Sequence, residues 1–319
     1  MRYAIIGTGA LGGYYGARLQ RSGADVHFLL NSDFDRVKTH GLVVESIYGD
    51  FTLPTMSAYR DASEMPPCDA VVICLKTTQN HLLPQLLPPL AADAAILTLQ
   101  NGLNEEPAIA TLLAERLGKP VGNAVRVAGG TAHICSNKIG PGHIRHSDYG
   151  RINLAAHVPE GAAREIPDWL RAIASDFEAA GIETSLSENL LDVRWHKLVW
   201  NIPFNGLSVI IDAKTDAMMG NEHTRSLLEQ LMQEVVAGAA AYDVEIARDF
   251  VQLMLDSTAV MTPYLTSMKL DFDNRRPLEV ESIYGNPIRA AQARGVAMPK
   301  TEALYQQLCF LNERNLIEG

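Results

Sequence analysis

The sequence predicts a two-part α/β protein in which a mostly parallel sheet wound with helices is followed by an all-helical second half. Three observations predict it. An apolar run at the very start, Tyr3 to Ile6, ends in a glycine-spaced turn and an apolar helix. Asp69 to Leu75 and Ala94 to Leu99 are continuous apolar runs of the kind that form central parallel strands buried on both faces. Beyond about residue 188 the apolar residues recur with helical spacing only. The 319 residues suit two domains, and the sequence places them at 1–187 and 188–319.

The first run passes directly into Gly7-Thr8-Gly9-Ala10-Leu11-Gly12 and then a helix to Ser22. Strand, G-x-G-x-x-G and helix in that order are the fingerprint of a Rossmann-type dinucleotide-binding domain. Gly7 permits the tight turn, Gly9 lets the backbone approach a pyrophosphate, and Gly12 lets the helix pack close to the strand. The helix N-terminus offers unpaired N–H groups to the phosphates. These six residues are therefore candidate cofactor contacts.

Ala24 to Leu30 reads as the second strand, whose end reads the ribose. An acid there favours NAD and an arginine favours a 2′-phosphate, but Asn31-Ser32-Asp33 follows. Asn31 and Ser32 can donate to a phosphate, and Arg36 and Lys38 lie a turn further on, so NADP (as NADPH) is the expected cofactor. Asp33 keeps NAD open. Gly41 to Pro54 reads as a small hairpin. The two central strands end in Lys76-Thr77-Thr78-Gln79 and Gln100-Asn101-Gly102, at the carboxyl edge where open α/β sheets bind ligands. Gly118 to Asn153 should supply the last strands. His143 and His146 fall on opposite faces of one of them, so no metal site is expected.

Ile166 to Ala180 is an amphipathic helix, and Gly181 to Ser187 a short extended link. Leu190 to Asp212 then reads as a helix apolar almost all round. At about 100° per residue, Arg194, Lys197, Asn201, Asn205, Ser208 and Asp212 share an arc of roughly 80°. A polar stripe on a buried helix must find partners, and a ligand can supply them. Pro203 removes a backbone donor and should kink the helix near Val199. Further helices are expected over 225–242, 249–272, 278–293 and 302–315, the last opening near Pro299 and Thr301. The junction of two such domains is the natural place for an active site.

Composition narrows the function. A net charge of −10 argues against nucleic acid and anionic membrane as partners, and a small anionic substrate then needs a local cation. Cys68, Cys74, Cys135 and Cys309 have no metal-binding spacing, which suits reduced thiols in a cytoplasmic protein. The first strand follows Met1 too closely for a signal peptide, and no apolar run is long enough for a bilayer. The long apolar helices suit either a monomer core or the interface of a homodimer.

Taken together these residues resemble the ketopantoate reductase (2-dehydropantoate 2-reductase) family over essentially the whole chain. The matching marks are Gly7-x-Gly9-x-x-Gly12, Leu75-Lys76-x-x-Gln79, Gln100-Asn101-Gly102, Trp195-x-Lys197-x-x-x-Asn201-x-x-x-Asn205, Ser267, and Leu278-Glu279 with Gly285 beyond. The resemblance implies NADPH-dependent reduction of 2-dehydropantoate to (R)-pantoate, a step toward pantothenate and coenzyme A. It assigns Lys197 as general acid and Glu279 as the partner of the substrate hydroxyl. It likewise implies that Asn101, Asn201, Asn205 and Ser267 bind substrate, and that Lys76, Gln79 and Asn101 lie against the nicotinamide half of the cofactor. The chemistry agrees, because hydride delivery to a ketone builds negative charge on oxygen, which a cation stabilises and can protonate. Two positions depart from the family pattern: Thr215 stands where a pocket asparagine is usual, and Asn31 where an arginine is usual. A reductase of another branched or hydroxylated 2-keto acid is therefore the alternative, and a nucleotide-binding sensor without catalysis is the alternative of another class.

Overall fold

The computed structural model describes residues 1–120, 122, 124–159 and 161–317, so Val121 and Asn123 of the span 118–153 lie outside the described residues. The chain divides into two compact units, Met1–Gln100 with Glu105–Val193, and Asn101–Asn104 with the chain from Arg194 onward.

The first unit is built on one ten-stranded sheet. Its strands are β1 (Arg2–Ile6), β2 (Asp25–Leu29), β3 (Leu42–Ser46), β4 (Phe51–Leu53), β5 (Ser57–Tyr59), β6 (Cys68–Ile73), β7 (Leu90–Thr98), β8 (Arg126–Gly140), β9 (His143–Ala156) and β10 (Thr184–Ser187). They run in the order β4-β3-β9-β8-β7-β6-β1-β2-β5, with β10 on β9. β5, β2, β1, β6, β7 and β8 pair in parallel, while β8–β9 and β3–β4 are antiparallel hairpins. The period of two is visible in β1: Tyr3 and Ile5 join one apolar cluster with Phe28, Leu97 and Phe177, and Ala4 and Ile6 join the other with Val71, Ile96 and Leu113. Helices α1 (Ala10–Arg21) and α5 (Asp168–Ala179) cover the first cluster, and α3 (Leu83–Leu86) and α4 (Glu106–Leu117) the second. A short α2 (Phe34–His40) follows β2.

The segment expected as an extended link, 181–187, contributes β10, which pairs in parallel with β9 from Thr184↔Ile152 to Ser187↔Ala155. Four residues carry too little periodicity to announce a strand. The pairing of β3 with β9 ends at His146, and the N–H and C=O groups that β9 leaves unpaired beyond it recruit them.

The second unit is helical: α6 (Leu190–Ile210, its first turn counted with the first unit), α7 (Thr215–Gly220), α8 (Glu222–Ala240), α9 (Phe250–Val260), α10 (Ser267–Asp273), α11 (Asn286–Ala293) and α12 (Pro299–Ile317). The span 249–272 is therefore two helices, divided around Pro263, with Thr266 capping the second by accepting from the Lys269 N–H at 3.2 Å. The span 278–293 opens with a π-helical turn, Glu281–Gly285. α6 stays helical across Pro203. Its apolar face buries Trp195, Leu198, Val199, Ile202 and Phe204. Among the described residues no helix is long and apolar enough to cross a membrane, and none form a metal-binding cluster.

Candidate active site

The glycine turn has the shape that its spacing demands. Gly7 adopts φ +95°, and a Cβ there would lie 2.6 Å from the Leu75 nitrogen. A Cβ on Gly12 would lie 2.4 Å from the Gly7 carbonyl oxygen, so both positions are closed by backbone. Gly9 differs: a Cβ there would meet nothing within 4 Å. Gly9 also precedes α1 with no side chain capping the first N–H groups. Two glycines tighten the turn and the third leaves a space in front of a helix N-terminus, which fits a dinucleotide pyrophosphate. Thr8 Oγ1 donates to the Leu29 carbonyl at 2.8 Å, tying the turn to the end of β2, and Ala10 and Leu11 open α1.

At that end Asn31, Ser32 and Arg36 are exposed, Arg36 on α2. Asp33 is buried. It accepts from Lys138 Nζ at 2.8 Å and from the Gly142 N–H at 2.9 Å, so it is not offered to a ribose as the sequence suggested. Burial acts to raise its carboxyl, and the bonds from Lys138, Gly142 and Ser32 outweigh that and hold it below the usual carboxylate range. Lys76, half-buried, stands before a 3₁₀ turn, Thr77–Leu82, in which Gln79 is exposed. A network that sequence reasoning missed backs this edge. Gln100 Nε2 donates to Asn80 Oδ1 at 2.6 Å and to the Leu75 carbonyl at 3.0 Å, and Asn80 Nδ2 donates to Glu105 Oε2 at 2.7 Å.

In the helical unit the stripe of α6 separates into parts. Asp212 leaves the helix with φ +51° and is taken up at 2.6 Å by the buried Lys269, so it belongs to an ion pair within the fold. Ser208 donates to the Asn205 carbonyl at 2.8 Å and lies 2.6 Å from Thr266 Oγ1, which places Ser267 at the start of α10 beside the Asn205 turn. Asn201 and Asn205 are buried, and Asn201 Nδ2 donates to Asn101 Oδ1 at 3.3 Å. Lys197 is half-buried where the sequence suggested full burial, with Nζ 5.9 Å from the centre of the Trp200 ring. Glu279 is 4% exposed, and its carbonyl accepts from the Ile283 N–H at 3.1 Å to begin the π-helical turn.

That turn holds Asn101. Leu103 N–H donates to the Ser282 carbonyl at 3.0 Å, and Asn286 Nδ2 donates to the Leu103 carbonyl at 2.7 Å. Gly102, at φ +97°, is so close that a Cβ would lie 2.4 Å from the Ser282 oxygen. Ser282 and Asn286 were not legible as site residues, because a π-helical turn has no sequence period of its own. Thr215, the departure from the family pattern, is fully buried with its hydroxyl accepting from the Tyr264 N–H at 3.0 Å. It clasps the segment leading to Ser267.

The family model described as Ketopantoate reductase PanE/ApbA matches residues 3–159, and the model described as Ketopantoate reductase PanE/ApbA C terminal matches residues 189–312. The chain belongs to the ketopantoate reductase family. A 2-dehydropantoate 2-reductase of Nostoc sp. is 53% identical over 315 residues, spanning 98% of this chain and 96% of its own length. The crystal structure of a 2-dehydropantoate 2-reductase from Geobacter metallireducens matches with a TM-score of 0.88 at 40% identity, covering 98% of this chain and 99% of that one. The structure from Methylococcus capsulatus matches with a TM-score of 0.82 at 32% identity, covering 99% and 98%. Ketopantoate reductases are oxidoreductases acting on CH–OH donors with a nicotinamide cofactor, which gives the glycine turn its ligand class.

Proposed function

We propose that this ketopantoate reductase family member reduces 2-dehydropantoate to pantoate with NADPH, and that Lys197 supplies the proton. The observation that carries the reading is the 53% identity over nearly the full length to a 2-dehydropantoate 2-reductase. The bound dinucleotide supplies the hydride. Gly7, Thr8, Gly9, Ala10, Leu11 and Gly12 hold its pyrophosphate, Asn31 and Arg36 face its adenosine ribose, and Lys76, Gln79 and Asn101 orient its nicotinamide half. The ketone carbon gains the hydride and the ketone oxygen takes a proton from Lys197 Nζ, so the lysine ends neutral and the product is an alcohol. Before transfer the ammonium stabilises the charge growing on that oxygen, and Asn201, Asn205 and Ser267 fix the carboxylate and carbonyl. Glu279 accepts a hydrogen bond from the substrate hydroxyl. That contact favours hydroxylated 2-keto acids over plain ones. Four free cysteines suit a reducing, cytoplasmic setting.

The test is NADPH oxidation by the purified protein with ketopantoate. A kcat/KM of about 10⁴ M⁻¹s⁻¹ or more establishes the reaction. Turnover of a different 2-keto acid with no rate on ketopantoate moves the substrate. Dinucleotide binding with no turnover of any 2-keto acid favours the sensor reading.

A further inference from the structure

The acidic residue that follows β2 is engaged by a lysine from another part of the sheet. Asp33 Oδ1 accepts from Lys138 Nζ at 2.8 Å and from the Ser32 hydroxyl at 3.1 Å, and Oδ2 accepts from the Gly142 N–H at 2.9 Å. Its side chain is 7% exposed, whereas that of Lys138 is 36% exposed. Lys138 lies two residues beyond Ser136 on β8, with regular pairing between them, so the two side chains share one face. Ser136 Oγ donates to the Ala10 carbonyl at 3.3 Å. That face of β8 therefore borders both the glycine turn and the residue after β2, and Thr8 ties those two together through the Leu29 carbonyl. On a fingerprint of this kind, the 2′ group of the adenosine ribose is read at the end of β2.

We propose that Lys138 sets the choice between a 2′-phosphate and a free 2′-hydroxyl, by holding Asp33 away from the ribose corner and presenting a cation to it. An acid presented to the ribose accepts from the hydroxyl of NAD and repels the phosphate of NADP. With Asp33 engaged by three donors, Asn31, Ser32, Arg36 and the exposed part of Lys138 offer neutral or cationic groups beyond β2, and the neighbouring Asp35 carboxylate is paired with Arg60. The lysine thus does from β8 what an arginine at position 31 would do from β2. The inference rests on the reading that this chain uses NADPH.

The test is the Kd of NADPH and of NADH, measured by titration calorimetry at one salt concentration, for the wild type, Lys138→Met and Asp33→Asn. Lys138→Met should weaken NADPH about tenfold or more while NADH stays within about twofold or tightens, because the released carboxylate can then face the ribose. Asp33→Asn should tighten NADPH about threefold, because Lys138 loses its partner and turns its full charge to the phosphate. The opposite signs are the signature. A pair that serves only the fold predicts that both variants weaken both dinucleotides together, and that result overturns the proposal. If circular dichroism shows that Lys138→Met does not fold, Asp33→Asn decides alone, and unchanged or weaker NADPH binding overturns it. A wild type that binds neither dinucleotide, or prefers NADH, overturns the cofactor reading first and this proposal with it.

Discussion

Gly7 and Gly9 stand two residues apart and answer to different demands. Gly7 needs a positive φ and a bare Cα against the Leu75 nitrogen, so Gly7→Ala should cost about 1–3 kcal/mol of stability. Gly9 faces open space, so Gly9→Ala should leave the melting temperature unchanged and still weaken dinucleotide binding about tenfold, because the added methyl occupies the room left for the pyrophosphate. Calorimetry of both variants, scanning and titrating, separates the two roles. Equal effects of both variants on stability would sink the distinction. Lys197→Ala should lower kcat about 10²–10⁴-fold with the NADPH Kd unchanged. Parallel loss of cofactor affinity in a titration would remove Lys197 from the proton transfer.

The segment Asn101–Asn104, between β7 and α4, is held by elements far away in sequence. Asn286, at the start of α11, donates to the Leu103 carbonyl, and its own Oδ1 accepts from Arg289 Nη2 at 2.7 Å, which fixes the direction of the amide. Arg289 in turn pairs with Glu281 at 2.8 Å, and a Cβ on Gly285 would lie 2.6 Å from that carboxylate. Gly285 therefore makes room for the pair that orients Asn286. Asn286→Ala should raise the KM for substrate by about tenfold through displacement of Asn101, while the NADPH Kd changes little. Steady-state kinetics at saturating NADPH checks it, and an unchanged KM would show that Ser282 alone holds the segment. π-helical turns recur at functional sites, and this one brings Glu279, Ser282 and Asn286 within a single eight-residue stretch.

Titration of the whole molecule should show the fold losing stability in two acid steps. Burial lowers the pKa of His146, whose ring nitrogens bond Ser46 and the Asp148 and Tyr149 carbonyls, with Arg18 lowering it further; burial likewise lowers His157. A histidine held neutral by the fold contributes stability that is complete above about pH 6.5 and is lost as pH falls through the lowered folded value. Asp33 adds a second step: its folded pKa is depressed, so its contribution is complete above about pH 4 and fades below that. Thermal melts from pH 8 to pH 3 should therefore be flat to about pH 6.5 and then fall, and Asp33→Asn should lessen only the lower part of the fall, to which Asp25, Glu45, Asp61 and Glu281, likewise held below the usual carboxylate range, also contribute. A melting temperature that rises on acidification contradicts both assignments. The fold class was legible in the sequence because the glycine spacing and the apolar runs of β6 and β7 are local signals, each written within about ten residues. The polar stripe of α6 was legible for the same reason, since helical period alone aligns Lys197, Asn201 and Asn205. Which members of that stripe meet a partner was not legible: Asp212 goes to Lys269, Ser208 to Thr266 and Asn201 to Asn101, and only the packing of distant elements decides that. Asp33 shows the same division. Its place after β2 is set by sequence, but its removal from the ribose corner depends on Lys138, 105 residues away, because a buried carboxylate must find donors wherever the fold brings them.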